Sequence, residues 1–191
     1  MKRIILSAIV ALGLAPHSAL AIDNQGTLQA VLDSELNSWI TDSLVIEALR
    51  SQNSVHSRLS AADIASMDEE WRSEIGTKDA PLQTRMLAKP ISKYFMRKQK
   101  SLDGIVSEVI LMDAKGLNVA MSNTTSDYWQ GDEAKFTETF NKGLGAVHFS
   151  EIELDESTGV YLVQVSTTIA DPDTGEPIGA ATFGINVGLL E

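Results

Sequence analysis

At Gly104 the spacing of apolar residues changes from helical to alternating, and this change constrains the fold more than any other feature of the chain. Before it, Leu28, Val31, Leu32, Leu36, Trp39, Ile40, Leu44, Val45 and Leu49 recur every three or four residues. That spacing predicts one amphipathic helix over residues 27–50, with Trp39 as a core anchor and a kinked continuation to residue 59 as the alternative. Ser60 and Asp63 predict a capping box ahead of Ile64, Met67 and Trp71, and Gly76 closes that helix. Asp79 and Pro81 open a third helix with Asp79 as its cap, and Pro90 interrupts it. After Gly104, strands are expected over residues 105–112 and 117–122, joined by a tight turn at 113–116. A short helix follows over 132–141, with Phe136 and Phe140 four apart, and then strands over 146–154, 160–170 and 177–187. Consecutive hairpins make the sheet antiparallel. The expected fold class is α+β: a long N-terminal helix and a helical segment (22–103) packed on a five-stranded antiparallel sheet (104–191), all in one domain.

Composition matters here for what it excludes. Met1-Lys2-Arg3, the apolar run over residues 4–15 and Ala19-Leu20-Ala21 have the layout of a secretory signal peptide covering residues 1–21, cleaved after Ala21. The run is short for a membrane span, and retention as an anchor is the alternative. The chain is therefore expected in the periplasm. Its formal net charge of -11, more negative still without Lys2 and Arg3, argues against nucleic acid as a partner. With no cysteine, thiol chemistry and Cys-based metal sites are excluded. Only His56 and His148 lie beyond the leader, so histidine triads and histidine-rich metal sites lack material. No cofactor and no metal are expected. Asp171, Asp173 and Gly175 have a calcium-loop spacing without its downstream Glu, and a hairpin turn explains all three.

Strand alternation separates two chemistries. One face carries Leu117, Val119, Met121, Val163, Val165, Phe183, Ile185 and Val187. The other carries Asn118, Ala120, Ser122, Gln164, Ser166, Thr168, Ala180, Thr182, Gly184 and Asn186, all small or polar. A solvated face would be richer in Lys, Glu and Arg, so the small hydroxyls and amides point to a covered cavity. The stretch Ser126-Asp127-Tyr128-Trp129-Gln130-Gly131-Asp132-Glu133-Ala134-Lys135 is the expected lid; the plainer alternative is a capped helix start with an aromatic anchor. In the lid reading Lys135 offers positive charge to an anion, Tyr128 and Trp129 form walls, and Ser122, Ser166, Thr168 and Thr182 form the floor. Asp127 or Asp132, whichever faces inward, suits an amine or hydroxyl. No nucleophile or metal set accompanies them, so the expected role is binding rather than catalysis.

The order of a long helix, a hairpin turning at Asp113-Ala114-Lys115-Gly116, a loop and helix, and three strands ending in Gly179-Ala180-Ala181-Thr182-Phe183-Gly184-Ile185-Asn186-Val187 resembles the extracytoplasmic Cache, or PDC, sensor family. The likeness covers residues 106–187. Val109-Ile110-Leu111-Met112-Asp113-Ala114-Lys115-Gly116-Leu117-Asn118-Val119-Ala120 looks like the family's first hairpin, and residues 127–135 look like its pocket loop. The resemblance implies a PAS-like fold and a non-catalytic sensor that binds a small polar ligand, a carboxylate being the leading candidate. The family's amino-acid-binding signature, an Arg followed closely by Trp and Tyr in the helical part, is not evident in this chain. Members similar to it are mostly the outer parts of chemoreceptors, histidine kinases or cyclic-dinucleotide enzymes. This sequence stops at Glu191, so a separate membrane-bound receptor, kinase or cyclase is the expected signalling partner, and the N-terminal helix is a candidate homodimer surface. The alternative reading is a non-catalytic protein-interaction module with a degenerate pocket, docking through the basic segment that holds Lys89, Lys93, Arg97, Lys98 and Lys100.

Overall fold

The computed structural model describes residues 18–155 and 159–190. Most of the expected leader, residues 1–17, lies outside the described residues, and Ala21 lies in the first helix. Among the described residues, no helix is long and apolar enough to cross a membrane.

The fold is α+β. Helix α1 (Ser18–Val31) runs through a π-helical turn (Leu32–Leu36) into α2 (Asn37–Ile40). The single helix expected over residues 27–50 is broken here. Asp42 adopts an extended conformation and its carboxylate accepts a hydrogen bond from the Leu44 amide, which caps a new helix, α3 (Ser43–His56). Ile40 and Leu44 stand four apart across the break, so the apolar period runs through it unchanged. Leu28, Leu32, Leu36, Trp39, Val45 and Leu49 are all buried, each leucine contributing roughly 1.5–3 kcal/mol. Helix α4 (Ala61–Ser73) begins with the expected Ser60–Asp63 capping box. Helix α5 (Pro81–Ala88) differs from expectation at its start: Ala80, not Asp79, is the capping position, and its side chain offers no cap. The Glu74 carboxylate reaches across instead, accepting from the amides of Leu82 and Gln83. Pro90 separates α5 from α6 (Pro90–Lys100).

The sheet contains β1 (Val106–Asp113), β2 (Asn118–Met121), β3 (Val147–Phe149), β4 (Glu153–Asp155), β5 (Val160–Ala170) and β6 (Pro177–Asn186). All pairings are antiparallel, in the order β2-β1-β6-β5-β3, with β4 also on β5. The sheet thus has six strands rather than five, because the expected strand over residues 146–154 is divided into β3 and β4 along the same edge of β5. The β1–β2 turn is as expected, with Gly116 at φ 79°, a conformation only glycine adopts freely. The short helix expected over 132–141 is likewise two pieces, α7 (Ala134–Thr137) and a 3-10 turn (Phe140–Lys142), with the Phe136 and Phe140 rings stacked at 5.0 Å.

Helices α1–α3 and α6 cover one face of the sheet, where Trp39 meets Phe183 edge-on at 6.0 Å among Phe95, Leu111, Val165 and Ile185. At the end of α3, His56 Nδ1 lies 2.7 Å from Asp113 Oδ2, and Arg50 pairs with Asp171 and Asp173 of the β5–β6 turn.

Candidate functional site

Cross-strand registers fix the residues of the opposite face. Thr182 faces Ile110 and Ser166, Ala180 faces Met112 and Thr168, and Gly184 faces Glu108 and Gln164. The expected small polar set from β5 and β6 is therefore on one face, joined by Glu108, Ile110 and Met112 of β1. Two residues of β2 sit away from the face expected for them. A β-bulge between Leu111 and Met112 places Ala120 opposite Leu111, in the helix-covered core. Met121, expected in that core, instead pairs with Ile110 and packs with Trp71 and Met86.

Over this face lies the segment 122–140. Its far part closes the face tightly: Phe136 packs on Ile110, Met112 and Ala180. Its near part leaves a cavity of about 380 Å³. Glu108, Ile110, Leu162 and Gln164 line the sheet side. Residues 123–126, Gln130 and Lys135 line the loop side, and Ser150, Glu153 and Asp155 stand at the remaining edge. Glu108 Oε1 accepts from Gln164 Nε2 at 3.0 Å. The Lys135 ammonium is buried, donating to Gln130 Oε1 at 3.1 Å and pairing with Glu133 at 3.0 Å. The cavity lining thus brings one buried cation together with the carboxylates of Glu108, Glu153 and Asp155.

The loop is fixed from behind. Asp68 of α4 accepts from the backbone amides of Tyr128 (2.8 Å) and Trp129 (3.0 Å). Arg72 pairs with both Asp68 and Asp127, and the Trp71 indole donates to the Thr125 carbonyl at 3.0 Å. On the hairpin side, Gln130 N donates to Gly116 O and Asn118 N to Tyr128 O, so the loop runs beside β2 as a short irregular strand. Asn118 Nδ2 donates to Thr125 Oγ1 and to Asp127 O. Such anchoring holds the cavity open and preformed.

The expected site residues separate accordingly. Lys135 lines the cavity. Ser166 and Thr182 are on the same sheet face but are not among the cavity-lining residues; their hydroxyls bond to each other at 2.9 Å. Thr168 lies beyond them, and its buried hydroxyl has no partner among the described residues. Ser122 caps the hairpin ladder, its hydroxyl accepting from Val109 N at 2.8 Å. Asp127 turns outward to Arg72, and Asp132 is exposed. Tyr128 stacks on Trp71 at 5.5 Å on the outer side of the loop, where burial pushes its hydroxyl up to about 12. Trp129 donates to the Lys115 carbonyl and lies against Gly131, whose lack of a side chain admits the ring. The sequence reasoning missed Gln130, Glu108 and Gln164 as cavity groups. Gln130 stood inside the singled-out stretch, and Gln164 had already been placed on the polar face. Glu108 alternates with Ile110 and Met112, a signal hidden by the unbroken apolar run 109–112.

No protein-family model matches the chain, and no curated protein does. Solved structures do. One is the ligand-binding domain of the Campylobacter jejuni chemoreceptor Tlp3 in complex with 4-methylisoleucine, at 13% identity and TM-score 0.42, over 93% of this chain and 65% of that one. Another is the ligand-binding domain of the Pseudomonas aeruginosa PAO1 amino acid chemoreceptor PctC in complex with GABA (17%, TM-score 0.38, 88% and 62%). A third is the sensor domain of the V. cholerae histidine kinase DctB (15%, TM-score 0.38, 90% and 57%). The chain spans less than two thirds of the length of each of these three. These structural neighbours are ligand-binding and sensor domains of chemoreceptors and a histidine kinase.

Proposed function

We propose that this chain is a Cache-type sensor module, with a PAS-like sheet, that binds a small polar ligand in the cavity between the β1–β6–β5 face and the loop 123–135. The observation that carries this reading is the cavity itself, lined by a buried, hydrogen-bonded lysine and by the hydrogen-bonded Glu108–Gln164 pair. With Gln130 and Glu133 each taking one hydrogen bond, the Lys135 ammonium keeps one of its three N–H groups for an acceptor on the ligand, and a carboxylate meets it best. Glu108, Glu153 and Asp155 then face the donor groups of the same ligand. In this reading the domain works in the periplasm, to which the expected leader directs it, binds without chemistry of its own, and passes its state to a membrane-bound receptor, kinase or cyclase.

A row of exposed cations on α6, Lys93, Arg97 and Lys100, favours a protein contact on the helical side and supplies the relay surface in this scheme. Thermal denaturation in the presence of organic acids, amines and hydroxy acids tests the binding reading. A true ligand at a hundredfold excess over its Kd stabilises the fold by about 2.7 kcal/mol, and the rise disappears in Lys135→Met. A melting temperature unmoved by the whole set, with pull-down of a membrane protein through α6, sinks the sensor reading in favour of a pure interaction module.

A further inference from the structure

A second recess lies against the same loop at Tyr128 and shares no lining residue with the main cavity. Trp71, Met86 and Tyr128 form its floor, with Met67 and Leu82 beside them, and its volume is about 170 Å³. The stacked Trp71 and Tyr128 rings give it a flat aromatic wall.

Its polar groups are unusual because donors dominate. Lys89 lines the recess at the Pro90 break between α5 and α6; its ammonium gives one hydrogen bond, to the Val119 carbonyl at 3.0 Å, and meets no carboxylate within salt-bridge distance among the described residues. Burial pushes the Lys89 ammonium below its ordinary value, the more distant Asp113 opposing this only in part. Arg85, one helical turn before Lys89, also lines the recess and makes no ion pair among the described residues. The Tyr128 hydroxyl has no hydrogen-bond partner among them either. One carboxylate, Glu70, stands at this recess against two cations. A half-buried cation short of negative charge, a second cation one turn away and a spare phenol surround an apolar, aromatic floor. That combination matches an anion carrying a flat apolar body.

We propose that this recess is a second ligand site, taking a small aromatic monocarboxylate whose ring packs beside the half-buried Tyr128 of the Trp71–Tyr128 pair and whose carboxylate is held by Lys89 and Arg85. The same loop borders both sites, Tyr128 lining the recess and Gln130 the main cavity. Tyr128 and Trp129 are tied by their amides to Asp68, while Gln130, next along the chain, holds Lys135 in the main cavity. Occupancy of the recess therefore bears on the same loop from outside.

Phenylacetate is the probe, and its neutral amide the control. Titrated into the full chain and followed by two-dimensional NMR, phenylacetate shifts the Trp71 indole signal, the amide binds at least ~10-fold more weakly, and Lys89→Met and Arg85→Met each weaken binding by ~10-fold. Lys135→Met leaves phenylacetate binding unchanged, which separates this site from the main cavity. An absent Trp71 shift at millimolar phenylacetate overturns the proposal, as does equal binding of acid and amide. Full affinity in the folded Lys89→Met, Arg85→Met double variant overturns it too.

Discussion

The two faces of the sheet are closed by different material, and the difference separates stability from vacancy. The face under α1–α3 and α6 is filled by large apolar side chains in contact: Trp39, Leu49, Phe95, Phe183 and Ile185 are each 0–2% exposed. The face under the loop carries Ser166, Thr182, Gly184 and Gln164 and, apart from the Phe136 contact of α7, is covered by polypeptide hung from α4 and the β1–β2 hairpin. Apolar burial closes the first face, and directed hydrogen bonds hold the second at a distance from the sheet.

Truncation on the helical face should have the largest effect. Phe183→Ala removes the ring that Trp39 packs against and should cost about 3–5 kcal/mol in urea denaturation, with no special loss of ligand affinity among molecules that remain folded. On the loop face, Asp68→Ala strips the Tyr128 and Trp129 amides of their acceptor. A loss of about 1–3 kcal/mol is expected, together with faster hydrogen exchange at those two amides. Unchanged exchange there would mean that the loop is held by the hairpin alone.

The pairing of α3 with the β5–β6 turn should be visible in acid. The Arg50 guanidinium holds the Asp171 carboxyl down at about 2 in the folded protein. A group lowered on folding stabilises above its unfolded value and loses that contribution as pH falls through the folded one. Stability should therefore decline between about pH 4 and pH 2, and Arg50→Met should remove that part of the decline. The smallest effect belongs to Thr168, whose buried hydroxyl has no partner among the described residues: Thr168→Val should be neutral or stabilising by up to ~1 kcal/mol in thermal unfolding.

Much of the helical face was legible in the sequence because it depends on local period. The apolar stripe of residues 28–49, the Ser60–Asp63 box and the Asp113–Gly116 turn are short-range patterns. What escaped were long-range substitutions for local rules. Glu74 caps α5 in place of Asp79, and Asp42 breaks a stripe whose spacing continues across it. The bulge at Leu111/Met112 moves Ala120 to the other face, which no alternation rule anticipates. At the site, Gln130 and Lys135 of the singled-out stretch line the cavity. The aromatic residues of the stretch turn outward because their partners, Asp68 and Trp71, lie some sixty residues earlier on a helix that local spacing cannot dock.

The measurement that tests the central claim most directly is native mass spectrometry of the purified protein, wild type beside Lys135→Met. The account predicts that wild type carries a small polar molecule, that Lys135→Met has lost it while keeping a cooperative unfolding transition, and that Lys89→Met retains it. The same molecule bound equally well to Lys135→Met would contradict the account and place the ligand outside the cavity beneath the loop.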